Sequence, residues 1–378
     1  MNREILWKAL ESHAMAGWRS PRTLDLPSIP AASRLLWCGI GGSLLPSETL
    51  VRALGSPEAQ ARWTPLASPE PSDLQLRKDD QIVFASKSGK TLELWTWIGR
   101  LRGLPGWERL ERPPVVITQD DANPLATLAR AEGWTLLPIP TDVGGRFSAF
   151  TPVGTLPLAW MGRDPEAFLE GGRAVAAEAR EGTGPWGSRI GAMTESLVEG
   201  YLEGISEWVL MPYALRLETL SVWWAQLVAE SLGKQAADGT RRGLTPIRAV
   251  GPIDQHSQLQ RWMAGPRNLG VVFLTVKAAA VAERLDLPAG CPYPALSGLT
   301  GTRILAAQAE GTREALEGVG VPVVHWELPE LNERLLGELM MAWQLIVGLA
   351  GFALELDPFD QPAVEDGKIR TFKKLGLV

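Results

Sequence analysis

The chain has 378 residues, of which 45% are hydrophobic and 21% are charged, and its formal net charge is −6. This length predicts two or three domains, and the hydrophobic fraction predicts a large core and excludes an intrinsically disordered chain. The acidic balance gives no basic surface of the kind that binds nucleic acid, so no nucleic-acid partner is predicted. The two cysteines, Cys38 and Cys291, have no CxxC neighbour, which argues against a disulfide framework and against a zinc site.

Neither a secretory signal nor a membrane span is predicted from the apolar stretches. Residues 1–4 include polar and charged side chains and no apolar run follows them. No stretch reaches the roughly 18 apolar residues that cross a membrane, and the longest candidate, 339–354, is predicted to be a buried helix. We therefore expect a cytoplasmic protein without a membrane partner.

Apolar runs alternate with stretches of helical periodicity through the first 140 residues or so. The predicted strands are 35–38, 81–85, 115–118 and 135–139, and the predicted helices are 46–54, 91–104 and 124–132. This alternation is typical of a parallel sheet that is covered by helices.

Helices are predicted to dominate 152–202, and a second alternation follows them. Its predicted strands are 207–211, 247–251, 270–276 and 321–326, and its predicted helices are 217–231, 304–318 and 331–354. The chain is thus predicted to form two successive α/β units, joined by helices near 162–187.

A glycine-rich loop follows the first predicted strand. Residues 39–43 read Gly-Ile-Gly-Gly-Ser and precede a helix, so the backbone could approach an anion closely. A dinucleotide-binding fingerprint needs another glycine where Leu44 stands, which makes a Rossmann site a weak alternative. A tight turn with no ligand is the other alternative.

A second loop, 86–91, reads Ser-Lys-Ser-Gly-Lys-Thr and also joins a strand to a helix. Its hydroxyls and free N–H groups predict a phosphate site. The first glycine of a nucleotide-binding P-loop would fall on Phe84, so a nucleoside triphosphatase is not predicted. The alternative is a capped helix with solvated charges.

Four charged side chains offer acid, base and anion-stabilising groups. Arg146 follows two glycines, and Glu230 lies at the end of an apolar helix that Gly233 can terminate. His256 alone among the three histidines lies among polar residues after a Gly-Pro turn, and Lys368 lies on the last predicted helix. Taken singly, each of these side chains could be an ordinary surface residue.

Taken together, the motifs resemble those of the phosphoglucose isomerase (glucose-6-phosphate isomerase) family, and the chain is similar to a short, bacterial-type member. The specific matches are 143–148, 230–234, 254–257 and 360–362, besides the two loops described above. They extend from residue 39 to residue 368, which is nearly the whole chain.

The resemblance implies two sugar-isomerase (SIS-type) domains, each a three-layer α/β/α sandwich around a parallel sheet. The predicted division is an N-terminal helical segment 1–30, a first domain 31–163 and a second domain 164–378. It also implies a homodimer with a shared active site, a sugar phosphate as substrate, and no metal ion or organic cofactor.

The resemblance further implies a role for each candidate residue. Glu230 would move the proton between C1 and C2, and Arg146 would stabilise a cis-enediolate. His256, supplied by the other subunit, and Lys368 would assist ring opening. The implied substrate and phosphate residues are Gly42, Ser43, Ser86, Lys87, Ser88, Thr91, Glu93, Gln226 and Gln361.

The implied reaction is the interconversion of glucose 6-phosphate and fructose 6-phosphate. One alternative is an isomerase that also accepts mannose 6-phosphate; relatives of that kind carry threonine where Gln226 stands. The other is a non-catalytic sugar-phosphate sensor, which need not retain Glu230, Arg146 and His256 together. Two residues depart from the family pattern: Lys90 in the phosphate loop, and Asp366 close to Lys368.

Overall fold

The structure is a computed structural model and describes residues 2–70, 73–277 and 283–377. The strands are β1 Leu35–Cys38, β2 Trp63–Leu66, β3 Gln81–Ala85, β4 Val115–Gln119, β5 Thr135–Ile139, β6 Glu207–Pro212, β7 Lys234–Gln235, β8 Arg241–Arg242, β9 Thr245–Arg248, β10 Leu269–Val276 and β11 Val323–Leu328. The helices are α1 Arg3–Ser12, α2 Leu45–Leu54, α3 Pro57–Arg62, α4 Leu92–Arg102, α5 Pro124–Ala131, α6 Pro152–Trp160, α7 Pro165–Glu181, α8 Gly184–Leu202, α9 Glu218–Leu232, α10 Leu259–Ala264, α11 Gly301–Gly318, α12 Glu333–Ala353 and α13 Val364–Lys374.

Two parallel sheets form the framework. The first has the order β2-β1-β3-β4-β5, and the second has the order β11-β10-β6-β9. Every pairing within them is parallel, whereas β7 and β8 form a separate antiparallel hairpin. In the first sheet the strand order reverses between β1 and β3, and such a switch point opens a crevice at the carboxyl ends of the strands.

Successive strand residues point to opposite faces, and this places helices on both sides of each sheet. On β1, Leu36 and Cys38 pack with α4 and α5, whereas Leu35 and Trp37 belong to a large core shared by α2, α6, α9 and α12. The second sheet repeats this arrangement, with α10 and α11 on its outer face and the shared helices on the other. The predicted α/β class with two parallel-sheet units is confirmed, while the boundaries 1–30, 31–163 and 164–378 stay predictions.

Helix α12 is the longest helix of the described residues and is largely apolar. Asn332 starts it by accepting a hydrogen bond from the Leu335 N–H, and its buried residues extend through most of its 21 positions. By length and composition this helix alone, within the described ranges, could span a membrane, but 89% of its apolar window is buried inside the protein. The helix predicted over 331–354 is observed at Glu333–Ala353, and its apolar stretch is buried, as predicted.

The structure corrects the predicted elements in two places. Strand β2 and helix α3 were not predicted. The strand predicted over 247–251 is observed at Thr245–Arg248, although the Gly251 N–H still donates to the Pro212 carbonyl at 3.0 Å. The stretch 152–202 is helical, as predicted, and consists of three helices; the last two are separated by Gly182, which adopts φ +70° at the C-terminal cap of α7.

Candidate active site

The two predicted loops lie side by side at the switch point of the first sheet. Residues 39–43 follow β1 and residues 86–91 follow β3, and these two strands are hydrogen-bonded neighbours. Their carboxyl ends therefore deliver both loops to the same edge of the sheet. Gln119, the last residue of β4, reaches this edge as well.

Glycines in the first loop allow the chain to pack closely against the rest of the site. Gly41 has φ +54°, and a Cβ there would lie 2.7 Å from Nε2 of Gln226. A Cβ on Gly42 would lie 2.2 Å from the Gly145 carbonyl oxygen. The Ser148 hydroxyl donates to the Gly42 carbonyl at 2.8 Å. These contacts join the loop after β1 to the loop that carries Arg146.

The second loop presents hydroxyls and a cation. Buried Ser86 and half-buried Thr91 share a hydrogen bond of 2.8 Å between their side-chain oxygens. Thr91 occupies the N-cap of α4, but its hydroxyl does not cap the helix. Burial lowers the pKa of Lys87, whereas Asp142 opposes the shift. Lys90 is exposed, donates its backbone N–H to Ser88 Oγ at 3.3 Å, and is not among the residues that line the cavity.

Arg146 is held rigidly in the interior, with its side chain 3% exposed. Its Nε donates to Ser231 Oγ at 2.7 Å, and its Nη1 donates to Gln361 Oε1 at 2.9 Å. Nη2 donates to the carbonyls of Pro358 at 2.6 Å and Asp360 at 2.9 Å. Burial lowers the pKa of Arg146, and the Glu230 carboxylate is the largest opposing influence; an arginine stays charged all the same.

Glu230 extends from the last turn of α9 towards this guanidinium. Its Oε2 is 3.7 Å from Nη1 of Arg146, and its side chain is 30% exposed. Gln226, one turn earlier on the same helix face, donates from Nε2 to Glu230 Oε1 at 3.0 Å. The helical spacing of four residues predicts this contact. The result is a fixed carboxylate that still faces solvent.

Helix α13 adds an ammonium group, that of Lys368, to the site. Lys368 is exposed and forms an ion pair with Glu365 at 2.6 Å. Asp366, whose closeness to Lys368 in the sequence suggested an influence, instead pairs with Arg370 at 2.7 Å.

Most of the predicted residues line one cavity of about 660 Å³. These are Gly42, Ser43, Ser86, Lys87, Ser88, Thr91, Arg146, Gln226, Glu230, Gln361 and Lys368. Two predicted residues do not belong to its described lining: Glu93 lies in the first turn of α4, and His256 is exposed to solvent at the end of a short 3-10 helix, Ile253–His256.

Sequence reasoning missed two polar residues of this cavity, Gln119 and Glu365. Neither belongs to a recognisable motif, but Gln119 could have been found because it ends a strand next to β3 in the sheet. Within the described part of the chain, no group of three or more His, Cys, Asp and Glu side chains is arranged to hold a metal ion. The groups that the cavity does present are two carboxylates, a guanidinium, two ammonium groups and several hydroxyls, which suit proton transfer on an anionic substrate.

Known proteins resemble this chain over almost its full length, although no protein-family profile matches it. A glucose-6-phosphate isomerase of Thermus thermophilus is 34% identical over 400 residues, which cover 99% of this chain and 93% of the relative. A crystal structure of a hypothetical protein from the same species superposes with a TM-score of 0.86 at 32% identity, covering 99% of this chain and 94% of that one.

A more distant structure shares the fold. A glucose-6-phosphate isomerase from Chlamydia trachomatis gives a TM-score of 0.74 at 21% identity, covering 99% of this chain and 73% of that one. The same two-unit α/β framework therefore persists at low sequence identity. Because the first Thermus relative matches this chain at 34% identity over nearly the whole length of both, the chain belongs to the glucose-6-phosphate isomerase family.

Proposed function

We propose that this chain interconverts glucose 6-phosphate and fructose 6-phosphate by moving a proton between C1 and C2. The observation that carries the proposal is the Glu230 carboxylate, which faces the cavity with Oε2 3.7 Å from the Arg146 guanidinium. The family of the chain supports the same reaction, because its curated relatives are named glucose-6-phosphate isomerases.

The proposed chemistry begins with the open-chain sugar. Glu230 takes the proton from C2, the electrons of that bond form a C1–C2 double bond, and negative charge develops on the enediolate oxygens. A proton passes from O2 to O1, and Glu230 returns its own proton to C1 to give the ketose. One carboxylate can serve both steps because C1 and C2 are adjacent.

Arg146 is suited to hold the enediolate charge. A guanidinium has five N–H donors, and the four hydrogen bonds described above leave one Nη1 hydrogen without a described acceptor. The 3.7 Å between Nη1 and Glu230 Oε2 is too long for a hydrogen bond. In our proposal a substrate oxygen takes up that remaining donor, and the buried, preorganised cation stabilises it.

The substrate phosphate is proposed to bind the loop 86–91. Ser86, Ser88 and Thr91 supply hydroxyls there, Lys87 supplies a positive charge, and the uncapped start of α4 supplies backbone N–H groups. Lys368 lines the same cavity and, with His256, is proposed to assist ring opening.

The double variant Ser86→Ala with Thr91→Ala removes both hydroxyls and should selectively weaken the binding of phosphorylated ligands. Each lost hydrogen bond to a charged phosphate is expected to reduce the binding free energy by roughly 1.5–3 kcal/mol. Titration calorimetry with glucose 6-phosphate and a non-phosphorylated inhibitor would measure this. Thr96→Ala is the control, since Thr96 lies on α4 and its hydroxyl donates to the Leu92 carbonyl. Equal losses for both ligands would place the phosphate elsewhere.

A coupled assay of the purified protein tests the proposed reaction. With fructose 6-phosphate, we expect conversion to glucose 6-phosphate without an added metal ion or cofactor. With mannose 6-phosphate we expect no comparable turnover, because glutamine at position 226 is the residue of the glucose-specific relatives. Turnover of both sugars would favour the dual-specificity alternative, and binding without turnover would favour the sensor.

The proposed assembly is a cytoplasmic homodimer in which His256 enters the partner's cavity. His256 lies outside the described lining of the cavity in its own chain, which is consistent with such a role. Exposed Ile253 in the same short helix would suit an interface. The described cysteines, Cys38 and Cys291, are both free thiols, as is usual for a reducing compartment.

Mixed dimers test this shared-site proposal. Glu230→Gln and His256→Ala proteins, each inactive alone, should regain activity after they are mixed and exchanged by reversible dissociation. Each heterodimer would contain one site with both wild-type groups, so its activity should approach half that of a wild-type dimer. The same two variant homodimers, mixed without exchange, provide the control. If exchanged heterodimers stay inactive, His256 acts within its own chain.

A further inference from the structure

We propose that Lys234 is a positioning residue for the isomerase reaction, one that fixes the Arg146 guanidinium by holding the turn on which that guanidinium rests. The inference builds on the proposed function and adds a residue that the motifs gave no role. Lys234 lies just beyond the end of α9, in the first position of β7. Its side chain is only 9% exposed, which is unusual for an ammonium group.

The ammonium of Lys234 is fully occupied by one short segment of chain. It donates to the carbonyl of Asp357, to the carbonyl of Asp360 at 2.6 Å, and to the Asp360 carboxylate. An ammonium has three N–H donors, so these three bonds use all of them. Lys234 therefore has no donor left for a substrate, which makes it a positioning residue rather than a catalytic one.

The same segment is what holds Arg146. The Asp360 carbonyl accepts from Lys234 at 2.6 Å and from Arg146 at 2.9 Å, so the two cations meet at one oxygen. Arg146 also bonds the Pro358 carbonyl and the Gln361 side chain. Without Lys234, the turn 357–361 would lose the bonds that keep these acceptors in place. The acceptors of Arg146 would then shift, and the free Nη1 hydrogen would no longer point where the enediolate forms.

The end of α9 and the residue just beyond it are thereby linked to the turn, either directly or through Arg146. Glu230 lies 3.7 Å from Arg146, Ser231 accepts from Arg146 at 2.7 Å, and Lys234 binds the turn itself. Base and anion stabiliser are consequently fixed relative to one another. A displacement of about 1 Å between groups of this kind can lower a rate on the order of 10²-fold.

Lys234→Met removes the ammonium while keeping a long side chain. We expect kcat to fall about 10- to 100-fold with KM nearly unchanged, because the affected interaction develops only in the transition state. Lys234→Arg should restore most of kcat, since its guanidinium can donate to the same oxygens. Arg242→Met is the matched control. Arg242 lies opposite Lys234 in the hairpin and bonds the Leu354 carbonyl at 2.7 Å, outside the turn 357–361.

Two inhibitors separate positioning from a general loss of structure. A 5-phosphopentonate carries a carboxylate that imitates the enediolate charge, whereas a hexitol 6-phosphate carries the phosphate alone. In Lys234→Met, calorimetry should show about tenfold weaker binding of the pentonate and hexitol binding within about threefold of wild type, the difference corresponding to one charge-assisted hydrogen bond. Arg242→Met should leave both affinities as in the wild type.

Three results would overturn the proposal: an equal loss of affinity for both inhibitors, an unchanged kcat in folded Lys234→Met, or the same changes in Arg242→Met. If Lys234→Met does not fold, Asp360→Asn is the alternative variant, because it removes only the charged acceptor of Lys234. It should weaken binding of the pentonate by a smaller factor and leave binding of the hexitol phosphate unchanged. An unchanged ratio of the two affinities would contradict the proposal. If the wild type binds both inhibitors but isomerises neither hexose phosphate, the proposed function fails. The ratio of the pentonate affinity to the hexitol affinity, compared between Lys234→Met and the wild type, still decides the role of Lys234.

Discussion

Replacing Glu230 by glutamine should lower kcat for fructose 6-phosphate by about 10²- to 10⁴-fold, as expected when a general base is removed. Glutamine has nearly the same shape, and its carbonyl oxygen can still accept the hydrogen bond that Gln226 donates at 3.0 Å. It cannot accept a proton from carbon. Fold and sugar-phosphate binding should therefore be retained, and steady-state kinetics together with calorimetry would measure both.

Glu218→Gln is the matched control for this variant. Glu218 is an exposed carboxylate in the first turn of α9, at the opposite end of the helix from Glu230. Its replacement should leave kcat and KM at their wild-type values. Near wild-type turnover in Glu230→Gln would remove Glu230 from the mechanism, and comparable losses in both variants would indicate a general effect of changes in α9.

The second large effect is expected for Arg146→Met. The loss of a preorganised donor to a developing oxyanion should reduce kcat by about 10²- to 10³-fold. The variant also removes the donor to Ser231 Oγ and to the Pro358 carbonyl, and it leaves the Asp360 carbonyl with Lys234 as its donor. Breaking a buried charged network of this kind should lower the free energy of unfolding by about 3–5 kcal/mol. Kinetics and urea denaturation would measure the two effects.

Arg34→Met separates these two effects. Arg34 is a largely buried arginine that binds the fully buried Asp80 carboxylate at 2.6 Å and the Gln75 carbonyl at 2.7 Å, away from the cavity. Its replacement should cost a comparable amount of stability and leave kcat unchanged at temperatures where the variant stays folded. If Arg146→Met retained wild-type kcat, the enediolate charge would have to be stabilised by another group, such as Lys368 on the described cavity wall.

The order of the elements could be predicted from the sequence because the central strands are continuous apolar runs. Strand β2 could not, since it contains Pro65 and follows α3 without a loop. It tolerates proline because it is an edge strand that pairs with β1 alone. Its existence depends on that neighbour more than on its own composition.

The candidate site could be predicted as far as its residues lie in local patterns. The loop 86–91 and the pair Gln226 and Glu230 are such patterns, and the structure brings them to one cavity. Lys234 could be recognised only as part of a motif, because its acceptors are carbonyls more than 120 residues away in the chain. Glu365 joins the cavity through tertiary structure alone.

The most direct test of the proposed mechanism is the hydrogen isotope that reaches C2 of glucose 6-phosphate when the reaction runs in D₂O. Starting from unlabelled fructose 6-phosphate, proton NMR would follow the glucose 6-phosphate that forms. Because a carboxylate that holds the proton can exchange it with solvent, the wild type should yield glucose 6-phosphate with deuterium at C2, at least in part. Glu230→Gln should yield none in the same time. Product with only protium at C2, or an unchanged rate in Glu230→Gln, would contradict proton transfer through Glu230.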